Sequence, residues 1–558
     1  MTESLANEQR GKMTPVELSQ WPADASDSVL ETTVGSVLRE SVALAADRTA
    51  LVAWGPDPGG RRTWTFAELL RDAEHTAQAL LARFEPGEHV AVFAPNVPEW
   101  LLLELGAGLA GMVIVTVNPA SRARELDYVL RQSRAAGLFH AVGFRGNPMN
   151  EWVTQVRPHL PQLREVVSFE SWGEFIASAS DFRPLPQVTP DAPAQIQYTS
   201  GTTGAPKGAL LHHRGLTNNA RFVLRRFRAV EGDVFAHAMP FFHTAGCVLS
   251  VLGPLQVRAT QAFLPAFDPG RMLELIEQER ATHFLGVPTM LIAMMEHPDL
   301  QRRDLSALRA VMSGGASVAP ELVRAVESRL GASFTIVYGQ TEASPIITQT
   351  QPEDSPDDKA NTVGTPLPQT AVKIVDSGTG DVVRPGVVGE LCTQGYLVMN
   401  GYFDKAEATA AAIDRDGWLH TGDLATMDER GYFKITGRLK DMVIRGGENL
   451  FPAEIEAVLY EHPEVTEVAV IGVPDPKMGE ELAAFVRVVG EPPSVEALRA
   501  HVRERLAAPK TPRYWIFVDE LPLTGSGKIK KYTLRERWEK GEFRLAGANS
   551  AAGERLPR

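Results

Sequence analysis

Tyr198-Thr-Ser-Gly-Thr-Thr-Gly-Ala-Pro-Lys-Gly208 decides the reading of this chain. Three glycines, four hydroxyl side chains and a lysine fall within eleven residues, directly after the strand-like Ala194-Gln-Ile-Gln-Tyr198. Gly201, Gly204 and Gly208 let the backbone approach an anion with its N–H groups turned inward. Thr199, Ser200, Thr202 and Thr203 add hydroxyl donors, and Lys207 adds charge, so the loop suits a nucleotide polyphosphate. A glycine-rich surface turn is the plainer alternative, and the density of donors weighs against it. The loop is not a Walker A, because it lacks G-x-x-x-x-G-K-[ST].

Thr524-Gly-Ser-Gly-Lys-Ile-Lys530 also resembles the end of a phosphate loop, but Pro522 holds the place of the first Walker glycine. Ile529 stands where a magnesium-binding Ser or Thr belongs, so Lys528 is expected to serve another purpose.

Working outward, β-rich runs alternate with helical patterns: His89 to Phe93, Val113 to Val117, Ala194 to Tyr198, Asp233 to His237, Leu308 to Met312 and Phe334 to Tyr338. Such alternation predicts α/β layers. Three loops follow these strands, at Thr199, at Ser313-Gly-Gly-Ala316 and at Tyr338-Gly-Gln-Thr-Glu342. Ligands of open α/β sheets bind beyond the carboxyl ends of strands, so the three loops are expected to meet in one crevice. Near residue 370 the pattern changes to hairpins, which predicts a β-rich subdomain, with Asp428-Glu-Arg-Gly431 as one turn. Beyond Arg438 it changes again: a helix from Pro452, strands Val465 to Val473 and Ala484 to Val489, and a helix capped by Ser494. The expected division is a large domain over 1–437, a hinge at 438–441, a small α+β lid at 442–540 and a frayed polar tail at 541–558.

The formal charge of −13 over 558 residues argues against a general nucleic-acid or anionic-membrane surface. Only Cys247 and Cys392 are present, which fits a reducing cytoplasm and excludes a disulfide framework. The first twenty residues lack the apolar core of a secretory signal. Trp100 to Val117 is the most apolar stretch, but Glu104 and three glycines make it a buried helix followed by a buried strand rather than a membrane span.

With these segments in order, the chain resembles the adenylate-forming superfamily of acyl-CoA synthetases, peptide-synthetase adenylation domains and firefly luciferase. The resemblance runs from about residue 35 to 535 and rests on Thr199 to Gly208, Pro240-Phe-Phe-His243, Ser313 to Ala316 and Tyr338 to Glu342. Gly417-Trp-Leu-His-Thr-Gly-Asp423, Gly437-Arg-Leu-Lys-Asp441, Gly446-Gly-Glu-Asn449 and Pro522 to Lys528 continue it. It implies that a carboxylate attacks the α-phosphate of Mg-ATP, giving an acyl-adenylate and pyrophosphate, after which the thiol of coenzyme A displaces AMP.

The resemblance also implies residue roles. Thr199, Ser200, Gly201, Thr202, Thr203, Gly204 and Lys207 would hold the phosphates; Glu342, with Thr199, would hold Mg2+; and Thr341 would reach the α-phosphate. Gly315, Ala316 and Tyr338 would form the adenine slot, Gly339 and Gln340 would also bind the nucleotide, and Asp423 would hold the ribose hydroxyls with Arg438 on ribose or phosphate. Lys528 would be the catalytic lysine, holding the attacking carboxylate and the α-phosphate together. Lys440 falls at the hinge, and Arg445, Gly446, Gly447 and Glu448 would border the thiol path in a second lid arrangement. His243 resembles the gate between acid and thiol, with Phe242, Ala245, Gly246, Cys247 and Gly314 as the acyl wall. No acidic residue occurs from Met239 through Gln261, where amino-acid-activating relatives carry an aspartate, so an apolar carboxylic acid is the expected substrate. Two alternatives remain open at this stage: an acyl-AMP ligase that loads a carrier-protein phosphopantetheine, and a catalytically silent AMP-binding protein. Neither the acid nor the choice between monomer and homodimer follows from these residues.

Overall fold

The computed structural model describes residues 17–55, 60–179, 182–199, 206–316, 318–446, 448–488, 490–523 and 529–546. Two sheets carry most of the large domain. One runs in the order Gly401–Tyr402, Lys207–His212, Pro193–Thr199, Val113–Val117, His89–Phe93, Gly137–His140, Glu165–Ser168, parallel from Pro193–Thr199 onward. The other has a parallel core of Ser333–Gly339, Ala310–Gly314, His283–Leu285, Val234–His237, Thr260–Phe263 and Thr49–Trp54. Antiparallel edges close it, Ile346–Gln349 with Thr365–Pro366 on one side and Arg61–Thr65 on the other.

Parallel strands are covered on both faces, so they read as continuous apolar runs rather than alternating ones. Val113–Val117 is buried at every position, and the helix Pro98–Ala110 before it is buried everywhere but Glu99. Pro98 at its first turn starts that helix, and Gly111 ends it at φ 71°. The apolar stretch at 100–117 is therefore a core helix and strand, as expected. No described helix is long and apolar enough to cross a membrane.

The β-rich subdomain is an antiparallel sheet ordered Gln20–Trp21, Thr370–Val375, Gly389–Gly395, Leu419–Met427, Phe433–Arg438. Its last two strands turn at 428–431, where Gly431 has φ 80°. The small C-terminal domain pairs Val465–Asp475 with Gly479–Val488 and adds Tyr514–Phe517 in parallel. Pro452–Tyr460 and Val495–Arg505 are helical, and the Ser494 hydroxyl accepts from the Ala497 N–H as an N-cap.

The tail departs from expectation. Phe543 packs edge-on to Phe485 at 4.8 Å, and Leu545 joins the cluster of Ile471, Phe485 and Trp538. The Ala546 N–H donates to the Trp515 carbonyl at 2.8 Å. Two apolar side chains spaced two apart among polar ones are enough to dock this piece, so fraying does not begin at Gly541; residues 547–558 lie outside the described residues.

Candidate active site

Two of the three strand-end loops are neighbours by construction, because Ala310–Gly314 and Ser333–Gly339 lie side by side in parallel with Gly314 opposite Val337. A Cβ on Gly314 would sit 2.4 Å from the Val337 carbonyl oxygen, so the close approach of these strands requires glycine there. Gly315 follows at φ 77° and Ala316 is exposed at the strand end.

Tyr338, half-buried at the end of its strand, donates its hydroxyl to Asp423 Oδ2 at 2.8 Å. Burial first, and then the Asp423 charge, push its phenol well above the usual tyrosine value, so it is a donor at all working pH. Arg438 Nε lies 3.1 Å from the other oxygen, Asp423 Oδ1. Asp423 is only 8% exposed, yet a carboxylate accepts about four hydrogen bonds, so both oxygens retain capacity for a ligand.

The third loop joins through a residue that the sequence reading missed. Tyr402 donates to Glu342 Oε1 at 2.7 Å, and the Lys207 ammonium lies 4.9 Å from the centre of the same ring. The Phe403 N–H bonds the Gly208 carbonyl, and the Met399 N–H bonds the Glu342 carbonyl. Residues 399–403 thus stitch the lysine loop to the glutamate loop. Nothing in the short Gly401–Tyr402 strand marks it as functional; only its pairing with Ala209 and Leu210 does. Gly339 and Gln340 are half-buried between these contacts, and Thr341 begins the short helical turn that carries Glu342. Ser200, Gly201, Thr202, Thr203, Gly204, Gly447 and Lys528 lie outside the described residues; Thr199, just before them, bonds the Lys207 carbonyl at 3.4 Å.

Lys440 follows Arg438 in a short helical turn, 439–441. Partial burial, and then the Arg438 charge, lower its ammonium below the usual lysine value, while Asp441, Asp423 and Glu342 oppose. Lys440, expected at a hinge, thus shares one electrostatic field with Asp423 and Glu342. Arg445 pairs with Glu448 across a hairpin, and Gly446 follows Arg445 at φ 60°. Arg445 corrects an expectation: its Nε lies 2.9 Å from Glu481, a carboxylate only 1% exposed, and its guanidinium also donates to the Pro509 carbonyl. A buried carboxylate needs a partner, so this arginine is committed to the small C-terminal domain rather than held out toward a thiol path.

On the other side, the segment after His243 forms a π-helix, Ala245–Leu252. Such helices are rare and recur at functional sites. The turn starts under strain of space: a Cβ on Gly246 would lie 2.1 Å from the Pro240 carbonyl oxygen. Phe242, His243 and Ala245 keep accessible surface, and His243 Nδ1 accepts from the Ala245 N–H at 3.2 Å. Cys247 does not line a wall as expected. It has no accessible surface, and its sulfur meets Gln197 Nε2 at 3.1 Å. Gln197 donates to Gln195, and Gln195 donates to Glu104, a carboxyl that burial pushes well above the usual carboxylate range. This buried relay backs the π-helix, and it puts a carboxyl, whose charged form burial disfavours, behind the segment that lacks one in sequence.

Taken together, polar residues gathered at strand ends beside a small α+β domain suit an adenylate-forming ligase. The AMP-binding enzyme family model matches residues 38–403 and its C-terminal domain model matches 454–528, and the chain belongs to that family. It is 42% identical over 539 residues to the Bacillus subtilis protein YngI, covering 91% of this chain and 97% of that one. To the human mitochondrial medium-chain acyl-CoA ligase ACSF2 it is 36% identical, covering 91% and 88%. ATP-bound MatB from Rhodopseudomonas palustris matches with a TM-score of 0.84 at 30% identity, over 91% of this chain and 99% of that one. The apo form of that protein matches at 0.74 with the same identity and coverage. The chain is an AMP-forming acid–thiol ligase that uses ATP and coenzyme A.

Proposed function

We propose that the acid joined to coenzyme A is apolar, of fatty or bulky cyclic type. What supports this is the segment beside His243: a π-helix whose residues are apolar except Ser250, with Glu104, a carboxyl that burial pushes well above the usual carboxylate range, behind it. An ammonium-bearing acid would find no charged partner there, and the cost of burying it unpaired exceeds what the rest of the site returns. The medium-chain name of the human relative supports the same class.

In this reading the loop at 199–204 and Lys207 cradle the phosphates, Asp423 and Arg438 grip the ribose, and Gly315, Ala316 and Tyr338 flank the base. Glu342, a buried carboxylate oxygen donor beside Lys207, suits a hard divalent cation, with Thr199 nearby. Bound there with ATP, Mg2+ would neutralise phosphate charge. Tyr402 holds Glu342 in one orientation for that task. Lys528 would bring its ammonium between carboxylate and α-phosphate in the first step, and rotation about Lys440 would exchange it for the 446–448 segment in the second.

The test is ATP–pyrophosphate exchange over a panel of carboxylic acids, repeated with coenzyme A while AMP and thioester are followed by mass spectrometry. Exchange and thioester are expected with apolar acids only. Exchange with amino acids would contradict the substrate class, and exchange without thioester would move the acceptor to a carrier-protein phosphopantetheine.

A further inference from the structure

Asp423 does not reach the site by regular strand geometry. Along the pairing of Gly389–Gly395 with Leu419–Met427, Glu390 faces Leu424, but Cys392 faces His420. Leu391 alone therefore spans Thr421, Gly422 and Asp423, a bulge that pushes these three residues out of the ladder. Gly422 takes φ 69° to make the turn.

Bulges leave backbone groups without ladder partners, and here side chains supply them. The Thr421 hydroxyl donates to the Leu391 carbonyl at 2.7 Å and accepts from the Asp423 N–H at 3.1 Å. Glu390 Oε1 accepts from the Gly422 N–H at 3.0 Å. Its second oxygen, Oε2, faces His420 Nδ1 at 2.9 Å, and His420 Nε2 lies 3.6 Å from Asp414 Oδ2. Asp414 is itself fixed by the N–H groups of Asp416 and Trp418, each at 2.9 Å. Glu390 is 8% exposed, and a buried carboxylate is retained only where its hydrogen bonds are made.

Glu390, Cys392 and His420 also bring three metal-ligand atoms within 4.8 Å of one another. That set is already satisfied from within: the imidazole N–H meets the carboxylate, and burial, with the Glu390 charge beside it, pushes the Cys392 thiol up to about 12, which keeps it protonated. The cluster reads as a brace rather than as a chelate.

We infer that Glu390, oriented by His420 and Asp414, is a positioning residue: it clamps the Gly422 N–H and so sets the bulge that presents Asp423 to the ribose. The inference rests on the ribose role proposed for Asp423. It assigns a function to a glutamate and a histidine that the adenylation chemistry itself does not touch.

Full-length Glu390→Gln, Glu390→Ala and His420→Phe are compared with Asp423→Asn and the unaltered enzyme, using ATP, 2′-deoxyATP and 3′-deoxyATP in pyrophosphate exchange. The unaltered enzyme is expected to favour ATP over at least one deoxynucleotide about tenfold, the size of one lost charge-assisted bond. Asp423→Asn should erase that preference. The Glu390 variants should raise KM for ATP about tenfold, change kcat less than about threefold, and shrink the preference toward the Asp423→Asn level. His420→Phe should do the same to a smaller extent. Glu390→Gln keeps shape and one acceptor, so it reads the effect if Glu390→Ala does not fold. If the Glu390 variants lose activity or melting temperature while keeping the ribose preference, Glu390 is merely structural and this inference fails alone. If Asp423→Asn keeps the preference too, the ribose assignment fails and this inference with it.

Discussion

The two halves of the site are built in opposite ways. The nucleotide half is a web of polar contacts between segments far apart in sequence: Tyr338 to Asp423, Asp423 to Arg438, Tyr402 to Glu342, Lys207 over Tyr402. The half proposed for the acid has backbone irregularity instead, a π-helix begun by a glycine pressed against Pro240, with Cys247 turned inward to Gln197 and, through it, linked to Gln195 and Glu104. The difference teaches where each property resides. In the proposed reading, charged contacts would fix the nucleotide that every turnover shares, while shape without charge would select the variable acid.

The sharpest separation is expected at Lys528. Lys528→Ala should lower adenylate formation about 10²–10³-fold, the size of a lost transition-state donor, while thioester synthesis from preformed acyl-AMP changes little. Equal loss in both half-reactions would break the assignment. Asp423→Asn should lower kcat/KM for ATP about 10–100-fold by removing a charged acceptor. Steady-state kinetics with ATP varied would check it, and a fall in acid affinity instead would blur the two halves.

A complementary change belongs to the acyl half. Ala245→Leu adds bulk to a half-buried position of the π-helix, and should reduce turnover of the longest acids accepted about tenfold while KM for ATP stays within about twofold. An unchanged acid profile would show that Ala245 does not face the acid. Smallest is Tyr402→Phe, which removes the hydroxyl on Glu342 but keeps the ring under Lys207. It should cost about threefold in kcat/KM for ATP, partly recovered at high Mg2+; a shift in acid preference would count against it.

The same contrast explains what the sequence made legible. Strand-ending loops announce themselves because glycines, hydroxyls and a lysine cannot be spent on packing in that density, and the lid helices at Pro452 and Ser494 carry their own start signals. Tyr402 was hidden because its role comes from pairing with Ala209 and Leu210, a long-range event without a local pattern. The π-helix was hidden because its residues, apolar and small, read equally well as an ordinary buried helix. Cys247 was placed on the wrong side for the same reason: without the extra residue per turn, its direction cannot be counted. Arg445 was assigned to the thiol path because Glu481, which claims it, lies on another strand. The bulge at 421–423 has a faint signal in Thr-Gly-Asp, but the glutamate that holds it is more than thirty residues upstream, on the neighbouring strand.

The most direct test is the acid profile of pyrophosphate exchange, measured across one panel for the unaltered enzyme and for Asp423→Asn. The account predicts that apolar acids lead in both, with every rate lowered by a similar factor and the order unchanged. A reordered profile would contradict the separate construction of nucleotide grip and acid choice, and a leading charged amino acid would contradict the substrate class itself.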